Sequence, residues 1–319
     1  MLSNRNIGLA AASVAAAGVL LSACSTTADG QTDDNDATAT VVATTTQVGS
    51  IAEQITSCAG GETITLMSAS DDPHQFEASS AAIVDMINAD LVVTNGLGLE
   101  ASMQRSIDNA VTDGAELFEL APQLDPLPLE QDHDHDHAGH EGHSHGEHDP
   151  HIWMDVSRMA DGAELIGEKI AEVTGDDTYV SCGSEVAADL RDVDAQMQEL
   201  LEPVESARLV TDHAAYGYFA DRYDLNIDGV VIPGGSTDGE PSSQDLSELT
   251  ALLEAEGADA LVTSKANPNR MIMALSEETD GRVPVVELYE NAIGESGSEA
   301  ETYQDAMLYN AQTLAEALN

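Results

Sequence analysis

Positive charge is scarce in this chain. Among its 319 residues lysine occurs twice, at Lys169 and Lys265; Lys and Arg number 10 against 59 Asp and Glu, a net charge of -49. A nucleic-acid partner requires clustered Lys and Arg to displace counterions, and no such cluster exists. Attraction to an anionic membrane surface is excluded on the same ground. Aromatic residues make up 3% of the chain, so its cores must be built from Ala, Val, Leu, Ile and Met. The three cysteines, Cys24, Cys58 and Cys182, contain no CxxC pair, which argues against a cysteine zinc site. No HExxH, no GxSxG elbow and no paired-carboxylate motif stands out; His140-Glu141 is followed by His143, at the wrong spacing. The chain therefore offers no catalytic signature and reads as a non-enzyme.

What is abundant is acid. The acidic residues are spread along the whole chain, which favours a surface adapted to high salt, where self-repulsion is screened. A field that concentrates cations is a second, compatible reading.

The N-terminus has the form of a targeting segment. Arg5 supplies a short positive region, and an apolar run follows from Ile7 to Leu21, too short and Ala-rich for a membrane span. Leu21-Ser22-Ala23-Cys24 resembles a bacterial lipobox. That resemblance implies a lipoprotein signal peptide over residues 1–23, lipid on the Cys24 thiol, and an extracytoplasmic, membrane-anchored protein. Residues 24–40 are polar and read as a flexible tether. Outside the cytoplasm the two remaining thiols, Cys58 and Cys182, are a candidate disulfide; their separation in sequence says nothing about distance.

From residue 41 onward, apolar strand-like runs alternate with helical patterns. VVATTTQV, ITLMSAS and ADLVVTNG read as strands, with helices from about Ser50 and over Ser79–Asn88. The rhythm breaks at Pro122–Pro150, and helical periodicity resumes at Trp153–Val173. Val186, Leu190, Val193, Met197 and Leu201 recur at helical spacing, so the spacing predicts one long helix over residues 179–203. A second series follows: strands at ARLVTDH, NIDGVVI, ADALVTS and VPVVELY, interleaved with helices and closed by a helix over Glu301–Leu318. This βα rhythm argues for parallel sheets flanked by helices. The expected architecture is α/β, with an N-terminal lobe over residues 41–178, the linking helix, and a C-terminal lobe over residues 204–319.

The ten histidines fall into two groups. Seven lie on a His-rich loop over residues 131–149: His133, His135, His137, His140, His143, His145 and His148. Such a tract can bind several metal ions loosely. The other three are His74, His151 and His213. His74 follows the strand ITLMSAS, and His213 ends the strand ARLVTDH. Ligands of open parallel sheets bind beyond the carboxyl ends of strands, and these two residues sit there, one in each lobe. His151 lies where the His-rich loop re-enters a helical segment. A lone histidine is usually a core or surface imidazole; three at strand-to-helix junctions weigh toward a shared metal. Three neutral imidazoles suit Zn²⁺, whereas Mn²⁺ prefers more carboxylate.

The segments DPHQFE around His74, DPHIWMD around His151 and TDHAAYGYFADRY around His213 carry a family resemblance, with weaker echoes in EPSSQDLSELTALLE and TYQDAMLYNAQTL. In this order they resemble the zinc- and manganese-specific solute-binding lipoproteins of bacterial ABC transporters. The resemblance runs from about Val41 to Asn319. It implies two α/β lobes joined by a rigid helix, a metal ion in the cleft between them, and His74, His151 and His213 as ligands. It implies Zn²⁺ as the transported ion, with Mn²⁺ second, and an ABC permease with its ATPase as partners of a monomer. The family's fourth ligand is usually an Asp after the last strand. Here that region reads ELYENAIG, which matches Asn291 to the Asp and places Glu290 beside it. Glu290, Asn291 or a water would complete the site. A metal-buffering or adhesin lipoprotein without a transport partner is the alternative within the family, and a zinc hydrolase the alternative outside it.

Overall fold

Six of the helices begin on a side chain suited to cap them. Thr45, Ser79, Asp155, Ser242, Asn269 and Thr302 each accept a hydrogen bond from a backbone N–H of the first turn, satisfying donors that have no partner inside the helix. The computed structural model describes residues 38–129, 148–232, 234–237, 239–255 and 257–319. The signal segment, most of the tether with Cys24, and His133, His135, His137, His140, His143 and His145 lie outside the described residues. No helix among the described residues is long and apolar enough to cross a membrane.

The N-terminal half contains β1 (Thr40–Ala43), α1 (Thr46–Ala59), β2 (Glu62–Thr65), α2 (Ser80–Asn88), β3 (Leu91–Thr94), α3 (Gln104–Thr112) and β4 (Leu117–Glu119). Then come α4 (Val156–Thr174) and the 24-residue α5 (Thr178–Leu201). The C-terminal half contains β5 (Arg208–His213), α6 (Gly217–Arg222), β6 (Asn226–Ile232), α7 (Ser243–Glu254), β7 (Ala260–Ser264), α8 (Arg270–Glu278), β8 (Val285–Leu288) and α9 (Tyr303–Leu318). Each half forms a four-stranded parallel sheet, in the orders β2-β1-β3-β4 and β6-β5-β7-β8. The two orders are the same pattern used twice. In each, the chain runs from the first strand to one side and then back past it to the other, which opens a crevice at the carboxyl ends of the central strands.

Strand alternation distributes the apolar residues over three cores. Val41, Ala43, Leu91 and Val93 face a central core shared with Leu209, Ala260, Val262, Val286 and Leu288 of the other sheet. Val42 and Val92 face a second core, beneath α2 and α3. Val210 and Leu261 face a third, beneath α7 and α8. The central core continues through Ala163, Ile166 and Ile170 of α4 and through Val186, Leu190, Val193 and Met197 of α5. Each such side chain contributes roughly 1.5–3 kcal/mol on burial, so α5 is held along its length by packing. One apolar body thus runs from sheet to sheet.

Candidate metal centre

His213 is the last residue of β5, a central strand of its sheet. It is 2% exposed. Asp212 stands behind it. One carboxylate oxygen of Asp212 accepts the His213 backbone N–H at 2.9 Å and lies 3.1 Å from its Nδ1. The other accepts the Thr263 hydroxyl at 2.8 Å and the Ser264 N–H at 3.0 Å, both at the end of β7. Burial pushes the Asp212 carboxyl up, but the hydrogen bonds and charge of His213, with those of Ser264 and Thr263, outweigh it and hold the group below its usual range. A charged Asp212 places the imidazole proton on Nδ1 and turns Nε2 toward the site.

His151 is completely buried and has the same support. Asp149 accepts its backbone N–H at 3.0 Å, and the same oxygen lies 2.7 Å from its Nδ1. The Asp149 carbonyl accepts the Tyr218 hydroxyl at 2.8 Å, and the Pro150 carbonyl accepts the Asn95 amide at 2.9 Å. The ring of Trp153 meets that of His151 edge-on at 5.2 Å. His74 lies in the connection from β2 to α2, with its backbone N–H donating to Asp72 at 2.9 Å. Its Nε2 is 3.2 Å from Nε2 of His151. One ligand atom from each of the three imidazoles lies within 4.8 Å of the others.

Glu290 follows β8 and is fully buried, not an exposed turn. Its backbone carbonyl accepts two hydrogen bonds of 2.9 Å, from Gln47 of α1 and from the Trp153 indole. Its side chain reaches 3.4 Å from Nε2 of His213. Among the described residues neither carboxylate oxygen has a hydrogen-bond partner, nor does Nε2 of His213 or Oδ1 of the buried Asn291. An ionised carboxylate in such a place is strongly unfavourable without a cation beside it. His213 answers part of that demand. Burial lowers its pKa, but the Glu290 charge and the Asp212 hydrogen bond more than reverse this and hold it well above the ordinary 6.5.

His74, His151, His213, Glu290 and Asn291, the residues expected from the sequence, are all buried. The first four are linked by the close approaches given above; Asn291 neighbours Glu290 in the chain. The carboxylates behind two of the imidazoles, Asp149 and Asp212, were not among the expected site residues. Their signal was present: Asp149-Pro150-His151 and Asp212-His213 each place an Asp one or two residues ahead of the histidine. His148, at the foot of the His-rich loop, is bridged to Pro128 and half-buried, and its Nδ1 has no partner among the described residues.

The chain is similar to known metal-binding proteins over most of its length. It is 28% identical over 287 residues to the zinc-binding protein TroA of Treponema pallidum, covering 86% of this chain and 87% of that one. It is 26% identical over 253 residues to the manganese-binding lipoprotein MntA of Halalkalibacterium halodurans, covering 78% of each. Among solved structures, periplasmic TroA superposes with a TM-score of 0.72 at 26% identity, over 88% of this chain and 99% of the other. A Mn-bound periplasmic metal-binding protein from Candidatus Liberibacter asiaticus shares the fold, with a TM-score of 0.73 at 18% identity over 88% of this chain and all of the other. Residues 41–317 match the family model described as ZnuA, zinc-uptake complex component A, periplasmic. With its fold, its buried histidine cluster and this match over nearly all of the described residues, the chain belongs to that family.

Proposed function

We propose that this protein is the extracytoplasmic solute-binding component of a metal-ion ABC transporter. It captures Zn²⁺ with His74, His151, His213 and Glu290 and delivers it to a membrane permease driven by an ATPase. The observation that carries the reading is the set of four buried donors drawn from both halves of the chain. Two ligands on a tetrahedral zinc at about 2.0–2.1 Å stand about 3.3 Å apart. The His74–His151 and His213–Glu290 approaches are 3.2 and 3.4 Å. Three imidazoles and one carboxylate leave the ion a net charge of about +1, which Asp149 and Asp212 offset from behind.

The chain's own residues do the rest of the work. Asp149 and Asp212 orient two imidazoles, Trp153 and Gln47 hold the Glu290 backbone in place, and the buried surroundings exclude water. Lipid on Cys24 keeps the protein beside its permease. Manganese is the second reading, favoured by the Glu290 carboxylate and by relatives named as manganese-binding.

Zinc titration with competing manganese tests the proposal on four proteins: wild type, His74→Ala, Glu290→Ala and a deletion of residues 132–148. Tight zinc binding in wild type, lost in His74→Ala and retained in the deletion, is the expected result. Tight binding that survives His74→Ala would remove the cleft site; loss in the deletion alone would move the site to the His-rich loop.

A further inference from the structure

Asp72, two residues ahead of His74, bonds to the backbone of that histidine and to the opposite half of the molecule. One oxygen of Asp72 accepts the His74 backbone N–H at 2.9 Å. The other accepts the Thr237 hydroxyl at 2.6 Å and the Gln75 amide at 3.2 Å. Gln75 donates as well to the Thr237 oxygen, at 3.2 Å. Thr237 belongs to the connection between β6 and α7, in the opposite half of the molecule. A single carboxylate therefore joins that connection to the backbone of a ligand histidine.

The same short segment reaches a second ligand loop. A Cβ on Gly235 would lie 3.1 Å from the Leu129 side chain and 3.7 Å from the Pro150 ring. Leu129 stands at the foot of the His-rich loop, and Pro150 precedes His151. Residues 234–237 thus reach both N-terminal segments that carry the histidines, and none of the four is a His, Cys, Asp or Glu.

We propose that Thr237 is a positioning residue for His74, and that through Asp72 it sets the rate at which the bound ion leaves. This rests on the metal-capture reading above. Three of the ligands are carried by segments of the two halves that this contact ties together, so an ion can escape only when His74 moves away from His151 and His213. With Thr237 seated on Asp72, that movement must break a short hydrogen bond to a carboxylate, one of the stronger kinds. Because the contact adds no ligand, it acts on the dissociation rate and leaves the coordination sphere unchanged.

The test measures metal release from the full chain into excess chelator by stopped flow, with Zn²⁺ for rates and Co²⁺ for the ligand-field spectrum. Thr237→Val keeps the side chain's shape and removes the hydroxyl. It is expected to raise the dissociation rate about tenfold, with the wild-type Co²⁺ spectrum retained, and Thr237→Ser is expected to restore the slow rate. A purely structural role for Thr237 would not be rescued by serine in this way. An unchanged rate in Thr237→Val, or an equal acceleration in Thr237→Ser, would overturn the proposal. Absence of zinc binding by wild type would instead overturn the metal-capture reading itself.

Discussion

Burial alone drives the proton off an imidazole, yet His213 is shifted the other way by Glu290 and Asp212. The sign matters for metal capture. A histidine whose folded pKa is raised stabilises the metal-free fold fully below its unfolded value, near 6.5, and loses that contribution as pH rises through the folded value. A metal ion occupies the same lone pair and must expel the proton. Apparent zinc affinity is therefore expected to decline on acidification from a point above pH 6.5, by about tenfold per pH unit for each proton displaced. Competition titrations between about pH 8.5 and about pH 5.5 measure this, and Glu290→Gln should move the onset to lower pH. A flat affinity down to about pH 6 would show that His213 binds no proton there. At this scale the three clustered histidines were legible from their places at strand-to-helix junctions and from the segments around them. The fully buried state of Glu290 was not, because it depends on Gln47 and Trp153, 243 and 137 residues away in sequence.

Helix and strand boundaries show where local pattern stops being informative. The run VVATTTQV looks like one strand because Val and Thr favour extended structure. In the fold β1 ends at Ala43, Thr45 caps α1, and that helix begins at Thr46, ahead of the expected Ser50. The cap overrides the propensity. Helix α3 and the three-residue β4 stand where the sequence led to no expected element: both are short, and α3 buries only Ile107 and Ala110 in an otherwise polar sequence. The long helix was legible throughout, since its buried face repeats every three or four residues. Its contact with α4 was not. A Cβ on Gly183 would sit 2.7 Å from the Ala163 carbonyl, and one on Gly167 would sit 2.5 Å from that of Tyr179. These glycines let the two backbones touch. Gly183→Ala must push the helices apart and is expected to lower stability by about 1–3 kcal/mol. Thermal or denaturant unfolding reads this directly; a variant as stable as wild type would show that the helices can yield there.

Across the whole molecule, Cys58 of α1 and Cys182 of α5 are joined, 124 residues apart in sequence. Breaking a link that closes so long a loop is expected to cost about 2–4 kcal/mol. Unfolding of the paired variant Cys58→Ala with Cys182→Ala, compared with wild type, checks this. The link fastens the helix that supplies Gln47 to the helix that spans the two sheets. Further ties cross between the halves: Thr46 accepts the Ile293 N–H at 3.0 Å, Ser50 accepts that of Tyr303 at 3.0 Å, and Gln54 pairs with Gln304. With the central core continuous through α5, metal binding is expected to produce a small rocking and not a wide closure. Overlapping X-ray scattering profiles for the metal-free and zinc-loaded protein are the expected outcome, and a marked compaction on loading would contradict it.

The sequence by itself determined what repeats locally: the βα rhythm, the face of α5, and three histidines in the segments that lead into helices. It also determined the family, because DPH, DPH and TDH in that order carry chemistry on their surface. Only the tertiary structure decided which groups meet. That Glu290 is buried against His213, that Cys58 reaches Cys182, and that Thr237 donates to Asp72 all depend on segments more than 70 residues apart. Periodicity reports which way a side chain faces; distance between remote segments is set by how the two sheets pack around one core, and no local pattern encodes it.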